Sequence, residues 1–456
     1  MFGVLDATVT RLGVTNGGNV TIMDGGGRNQ SSRLGFRGVE DLGGGLSAAF
    51  WLEAGINVDN GTGSNTTSNN TAAGDKLAFG ASSPINGGIV NAPSNQSLTA
   101  RQGLTFNRAS TVSLISKDLG EVRLGRDYNP AFWNYTVFDP FGTVGAGSAL
   151  NVVGGPLAPA GVQAFPPGAA YPMVRTSNSI GWLSQSMNGF RAQLQYALSE
   201  SPSKCTQPET TVNGNYCWGA DGDGKTIGGR LSYATGPLSA ALAYSKTDYG
   251  NAKAGVGQTA VDQSMTNASA YRGNYTQMNL AGAYDMGVAK LFAQYGTQTV
   301  AATDAIAATA GYAAATSTGL AYGASSAGAE KKFSHYMLGT AVPMGALTLK
   351  ATYNWGERKD GANFANASGT VNANEIGSKI AQIALGVQYD LSKRTALYST
   401  YSSSKLTAGA TTQAANAASI AAGYGIRSTL GLNGQGLLAG QSATATALDI
   451  GIRHAF

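Results

Sequence analysis

The chain has 456 residues, 12% of them charged, with 30 Lys and Arg against 25 Asp and Glu for a formal net charge of +5. No basic block stands out, which argues against a nucleic-acid partner, because that needs a clustered basic face. No apolar run approaches the ~20 residues a membrane-spanning helix requires. Glycine (64) and tyrosine (20) are prominent, and the texture is that of an all-β chain with large polar loops.

From the start, Met1-Phe2-Gly3 runs directly into an alternating strand, without a charged n-region or an apolar h-region. That leaves a cytosolic protein or a mature chain with a substitute start, and the pattern that follows favours the second. A two-residue period predicts strands at about 2–12, 31–39, 45–56, 103–116, 121–127, 174–186, 190–199 and 225–235. It continues at about 238–247, 273–285, 289–298, 333–342, 346–356, 378–391, 395–404 and 445–456. These sixteen segments are each near the ~9–11 residues of a tilted spanning strand.

The connections alternate in length. Turn sequences such as EDLGG, SKDLG, QSMNG, ATGP and DLSKR are short. The others, 13–30, 57–102, 128–173, 200–224, 248–272, 299–332, 357–377 and 405–444, are long and rich in Gly, Ser, Thr, Asn and Ala. A β-helix would show a short internal repeat, and tandem sandwiches would not place every long loop on one side. The expectation is a single domain over 1–456, a sixteen-stranded antiparallel transmembrane β-barrel with long extracellular loops, whose backbone groups all pair around the ring.

Strand parity sorts side chains. In the last strand Leu448, Ile450, Ile452, His454 and Phe456 share a face suited to hydrocarbon, while Asp449 and Arg453 share the wet one. Arg33 and Arg37 alternate with Leu34 and Phe36, and an arginine at the bilayer midplane costs ~2–4 kcal/mol, so both arginines point into the lumen. By the same phase Trp51 and Glu53 face inward and Leu46, Ala48, Phe50 and Leu52 outward; Asp6 is a further lumen candidate. Arg108 and Arg126 fall out of phase, grouped with Val112 and Leu114 and with Val122 and Leu124. Either the lumen is partly apolar there or a β-bulge shifts the phase, with Gly125 a suitable site.

The stretches SSRLGFRGVEDLGGGLSAAFWLE (31–53), FNRASTVSLISKDLGEVRLGRDYNP (106–130) and RTSNSIGWLSQSMNGFRAQLQYALSE (175–200), with the terminal GIRHAF, resemble the Gram-negative general porins, the β-proteobacterial branch above all. The resemblance implies a homotrimer in the outer membrane, embedded in its lipid, with one water-filled pore per subunit narrowed by an inward-folded third loop. It implies passive diffusion of small hydrophilic solutes; no residue constellation points to a cofactor or to catalysis. FNR and LGR look like the positions of a porin arginine cluster, which assigns Arg108 and Arg126 to the lumen; Arg33 looks like its third member and Arg175 like a further wall arginine. Phe456 looks like the terminal aromatic read by the assembly machinery. Porins often carry Pro-Glu-Phe-Gly near the third loop's tip; here the equivalent is Asp139-Pro140-Phe141-Gly142, with the acid before the proline.

Asp139 is the only acidic residue from 128 to 173. A narrow slot lined by several arginines and few carboxylates lowers the barrier for anions, so the expected solutes are carboxylates, phosphate or chloride. The alternative is an adhesin or structural barrel whose long loops occlude the pore. Cys205 and Cys217 suit a loop-closing disulfide in an oxidising compartment, or two free thiols.

GADGDGKT (219–226) matches the phosphate-loop pattern by letter, but that motif needs a strand before it and a helix after it. Here an alternating strand follows, and Asp221 and Asp223 would repel phosphate or, at most, hold a cation weakly in an exposed turn. Two histidines, His335 near a rim and His454 facing outward, suggest neither a metal site nor a catalytic constellation.

Overall fold

The computed structural model describes residues 1–15, 18–64, 104–153, 174–198, 225–250, 272–302, 330–360, 378–407 and 442–456. Its strands, in chain order, are β1 (Phe2–Val14), β2 (Asn19–Asp24), β3 (Arg33–Gly43), β4 (Leu46–Asn57), β5 (Thr62–Gly63), β6 (Ala109–Ser116), β7 (Gly120–Tyr128), β8 (Arg175–Leu183) and β9 (Phe190–Ala197). They continue with β10 (Thr226–Thr235), β11 (Leu238–Gly250), β12 (Arg272–Asp285), β13 (Lys290–Ala302), β14 (Glu330–Met344), β15 (Leu347–Asp360), β16 (Ser378–Asp390), β17 (Thr395–Thr407) and β18 (Ser442–Ala455). Two helices, α1 (Pro130–Phe138) and α2 (Leu150–Val153), lie in the third long loop.

Sixteen of these strands form the wall, paired antiparallel with their neighbours, and β1 closes on β18 from Val4↔Ala455 to Val14↔Ala445. Closure removes both sheet edges, so every wall backbone group has a partner in an apolar surround. The two extra strands belong to loops. β5 is a short hairpin on the end of β4. β2 borders the upper part of β1 while β3 takes its lower end, through Phe2↔Gly35 to Val4↔Arg33. Asp6 sits where one partner hands over to the other.

Outside, the alternation is apolar: Leu231, Leu242, Leu280, Leu338, Leu385 and Ile450 are each about half exposed. On the inner face of the wall Gln193, Ser245, Gln277, Gln298, Gln382 and Asp449 are buried. Such a wall carries hydrocarbon on one side and polar groups on the other. The apolar core lies within the ring, where Phe138 and Ala149 of the third loop pack on Ala241, Ala281, Ala283, Phe292 and Met337.

The local sequence explains the third loop's path. Asn129 caps α1, its side chain accepting from Ala131 N at 2.9 Å, and Pro130 occupies the first turn, where its missing N–H costs nothing. Pro140 follows the helix and stops it. The loop then lies on strand positions that carry no side chain. Pro130 covers Gly228, Pro140 covers Gly339, Phe141 covers Gly386, and Val152 approaches Gly356. A Cβ added at Gly386 would lie 2.5 Å from the Phe141 ring.

Candidate functional site

Four arginines gather at the long-loop ends of β3, β6, β7 and β8. Glu53 at the end of β4 accepts from Arg108 Nε at 2.6 Å and lies 3.8 Å from Arg33 Nε. Trp51 Nε1 donates to its second oxygen at 3.3 Å. Arg108 Nη2 and Arg175 Nη2 donate to the same Tyr128 hydroxyl, at 3.3 and 3.0 Å, and the Arg175 guanidinium lies 4.6 Å from the Tyr128 ring centre. Arg126 joins through Asn107, whose carbonyl accepts from its Nε at 2.7 Å, while its Nη1 donates to Ser177 Oγ at 2.8 Å. Tyr128 carries the cluster onto the third loop, stacked on Phe132 at 5.5 Å and edge-on to Trp133 at 5.0 Å.

The bulge anticipated at Gly125 is present. Pairing of β7 with β8 shifts register between Gly125 and Asp127, Gly125 has φ +122°, and the facing Asn178 has φ +58°. The extra residue lies on β8, because two steps on β7 match three on β8. It turns the strand ends enough for Arg175 and Tyr128 to meet Arg108.

Arg37, expected beside Arg33, lies elsewhere. It pairs across with Trp51, whereas Arg33 pairs with Gly55, and four residues of strand separate the two arginines by about 13 Å. Its guanidinium lies 5.3 Å from both the Phe2 and Trp51 rings, in the middle of the β3–β4 pair. Asp6 is buried and is taken up by the first loop, accepting from Asn29 N at 2.8 Å and Gln30 N at 2.7 Å.

Asp139 corrects the largest expectation. It does not look across a slot at the arginines. It is 6% exposed and folded back on its own loop, accepting from Phe141 N at 2.9 Å and Ala149 N at 2.7 Å. Burial pushes its carboxyl up to about 7, against the pull of those two N–H groups and the charge of Lys350. Placed before the proline, the acid reaches the amides at the neck of the 139–149 turn instead of the lumen. On α1 the positions left uncovered are Trp133, Thr136 and Val137, so the loop's pore face is uncharged. His335 also departs from expectation: it is buried, 5.5 Å from the Tyr135 ring of α1, and not at a rim. His454 is exposed as expected, beside Thr395 Oγ1 at 2.9 Å.

Phe456 pairs by backbone with Gly3, at 3.0 and 3.1 Å, and seals the β1–β18 seam. Cys205, Cys217 and residues 219–224 lie outside the described residues; Thr226 opens a strand, not a helix. Sequence reasoning missed the anchoring groups Asp449, Asn134 and Lys350. Asp449 Oδ2 accepts from Ala146 N at 2.7 Å, Asn134 Nδ2 donates to Asn279 Oδ1 at 2.5 Å, and Lys350 lies 5.9 Å from the Phe141 ring centre. For Asp449 the signal was visible, since it is an acid on a lumen-facing phase.

Among the described residues, four guanidiniums thus gather around Glu53, Tyr128 and Asn107 on the wall, while the loop opposite withholds its only acid. Such a slot carries a positive potential that low-dielectric walls focus.

A family profile described as Gram-negative porin matches residues 1–409. Outer membrane porin protein 32 of Delftia acidovorans is 30% identical over 460 residues, covering 100% of this chain and 93% of that protein. An outer membrane porin protein of Bordetella pertussis is 28% identical over 379 residues, covering 82% of this chain and 76% of that one. Among solved structures, an anion-selective porin from Comamonas acidovorans aligns with a TM-score of 0.60 at 27% identity, over 100% of this chain and 98% of that chain. OmpT of Vibrio cholerae aligns with a TM-score of 0.52 at 10% identity over 100% and 96%, a likeness of fold alone.

Proposed function

Because the chain belongs to the Gram-negative porin family, an outer-membrane channel for passive diffusion of small solutes, we propose that its pore favours anions. The observation that carries this reading is the gathering of charge at the slot: among the described residues Arg33, Arg108, Arg126 and Arg175 lie around Glu53, with Asp139 drawn into its own loop. A fixed positive potential in a narrow aqueous passage raises the local concentration of anions and excludes cations. A structural relative at 27% identity is named an anion-selective porin, which supports the same sign here. Carboxylates, phosphate and chloride are the expected solutes.

The working unit is a homotrimer in outer-membrane lipid, with Phe456 as the strand-end aromatic recognised during assembly. The chain is a channel and not a catalyst: the inner-face carboxylates Asp6 and Asp449 serve to hold loops. Recording in planar bilayers under a KCl gradient tests the reading. A zero-current potential on the chloride side, with closure in three equal steps, is expected. A potential on the potassium side overturns the anion assignment, and the absence of stepwise conductance overturns the open channel.

A further inference from the structure

Two arginines of the inner wall have no part in the cluster above. Arg191 on β9 and Arg230 on β10 both face the lumen, since Leu194 and Leu231 on the intervening phase are exposed to the outside while Gln193, opposite Arg230, is buried. Arg191 pairs across with Ser232, one rung from the hairpin turn, and Arg230 lies two residues further in. Short turns are periplasmic in bacterial barrels, so the pair lies between α1 and the periplasmic mouth.

Their state of pairing is unusual. Arg191 is exposed, and its guanidinium makes no hydrogen bond or ion pair among the described residues. Arg230 uses one donor, Nε, on Asn134 Oδ1 at 2.7 Å, and keeps both Nη groups for the lumen. Asn134 cannot turn its amide over, because its Nδ2 is committed to Ala241 O at 3.1 Å and Asn279 Oδ1 at 2.5 Å. The third loop therefore presents Arg230 in a fixed pose. The two guanidiniums act on each other electrostatically, and among the described residues no carboxylate is bonded to either. The nearest acids are spoken for: Glu121 grips Arg123 through both oxygens at 2.9 and 3.0 Å, and Asp127 holds the same Arg123 at 2.5 Å. Glu121 still acts on Arg191 through space, and the inner faces of β8 and β11 bring no charged group to the site.

Two like charges held together without a bonded counter-charge are unfavourable, and guanidinium forks match oxyanions bidentately. We propose that Arg191 and Arg230 form a second solute site, periplasmic to the third loop, for a dianionic oxyanion such as hydrogen phosphate or a small dicarboxylate. This rests on the anion reading of the pore. A solute leaving the upper cluster meets a second pair of donors before the mouth, so dianions gain a stepping site that chloride cannot bridge.

The test is titration of KCl conductance with phosphate, and separately with succinate, at pH 8 in bilayers holding the wild-type channel, Arg191→Gln, Arg230→Gln and the double variant. Wild-type current falls to a plateau, and each single variant raises the half-saturating concentration about tenfold, the loss of one charge-assisted bond. Arg191→Gln removes no internal contact, so its effect is not a folding defect. Response to one titrant alone identifies the solute. A half-saturation unchanged in Arg191→Gln, or current that never plateaus in the wild type, overturns the site. A chloride-side zero-current potential with an unchanged titration sinks this site alone, whereas a potassium-side potential sinks the anion reading beneath it.

Discussion

Arg108 Nε and Glu53 Oε1 meet at 2.6 Å, and the same carboxylate lies 3.8 Å from Arg33 and accepts from Trp51. One acid therefore sets the spacing of the arginine cluster and offsets part of its charge. Glu53→Gln keeps the shape and removes that offset. The chloride-to-potassium permeability ratio, read from the zero-current potential, is expected to rise. A fall would show that Glu53 acts through position and not through charge.

Removing a cation should do the reverse. A unit charge about 8 Å from the permeating ion is worth about 0.5 kcal/mol in water, or roughly twofold in concentration. Arg126→Ala and Arg33→Ala should each lower the permeability ratio about twofold at low salt, and less at 1 M where the Debye length is about 3 Å. Arg37→Ala, with its guanidinium held against Phe2 and Trp51 and apart from the cluster, should change it little. An effect of Arg37→Ala as large as that of Arg33→Ala would refute the placement of the selective slot.

The Asp139 carboxyl, raised to about 7 by burial, makes the third loop sensitive to pH. The folded loop favours the neutral acid, so this group's contribution to stability is full below its ordinary value near 4. It is lost as pH rises through about 7. Detergent-solubilised wild type should lose thermal stability between pH 4 and 8, and Asp139→Asn should flatten that slope. Asn cannot accept from Ala149 N through its amide nitrogen, so the variant starts lower; the slope is the readout. Equal slopes in the two proteins would count against a buried, titrating Asp139.

The glycine seats of the third loop can be filled. Gly386→Val would drive side-chain atoms into Phe141, whose ring already lies within contact of an added Cβ. Overpacking of this kind costs about 1–3 kcal/mol. The loop should lift, giving noisier and larger single-channel currents with the barrel still resistant to denaturation by detergent. Unaltered conductance would mean that Phe141 does not fix the loop's height.

Much of the fold was legible because a barrel in lipid repeats one instruction, apolar out and polar in, at every strand. Arg33, Glu53 and Asp449 obey that alternation and could be placed from it. Arg126 and Arg175 could not, because their positions depend on a bulge whose extra residue lies across the ladder at Asn178, far from Gly125 in sequence. Asp139 misled for a different reason. Its bonding partner, Ala149 N, is ten residues away in the same loop, and a loop's internal bonds leave no periodic trace. The seats of the third loop were hidden in the same way: among 64 glycines, nothing marks the few on which another segment rests.

Asp449 lies on the final strand, bonded to Thr10 on the first at 2.8 Å and to Ala146 of the third loop at 2.7 Å. One side chain therefore ties the seam that closes the cylinder to the loop that narrows it. Wall closure and filter height share a single fastening, so a change at this position touches both at once.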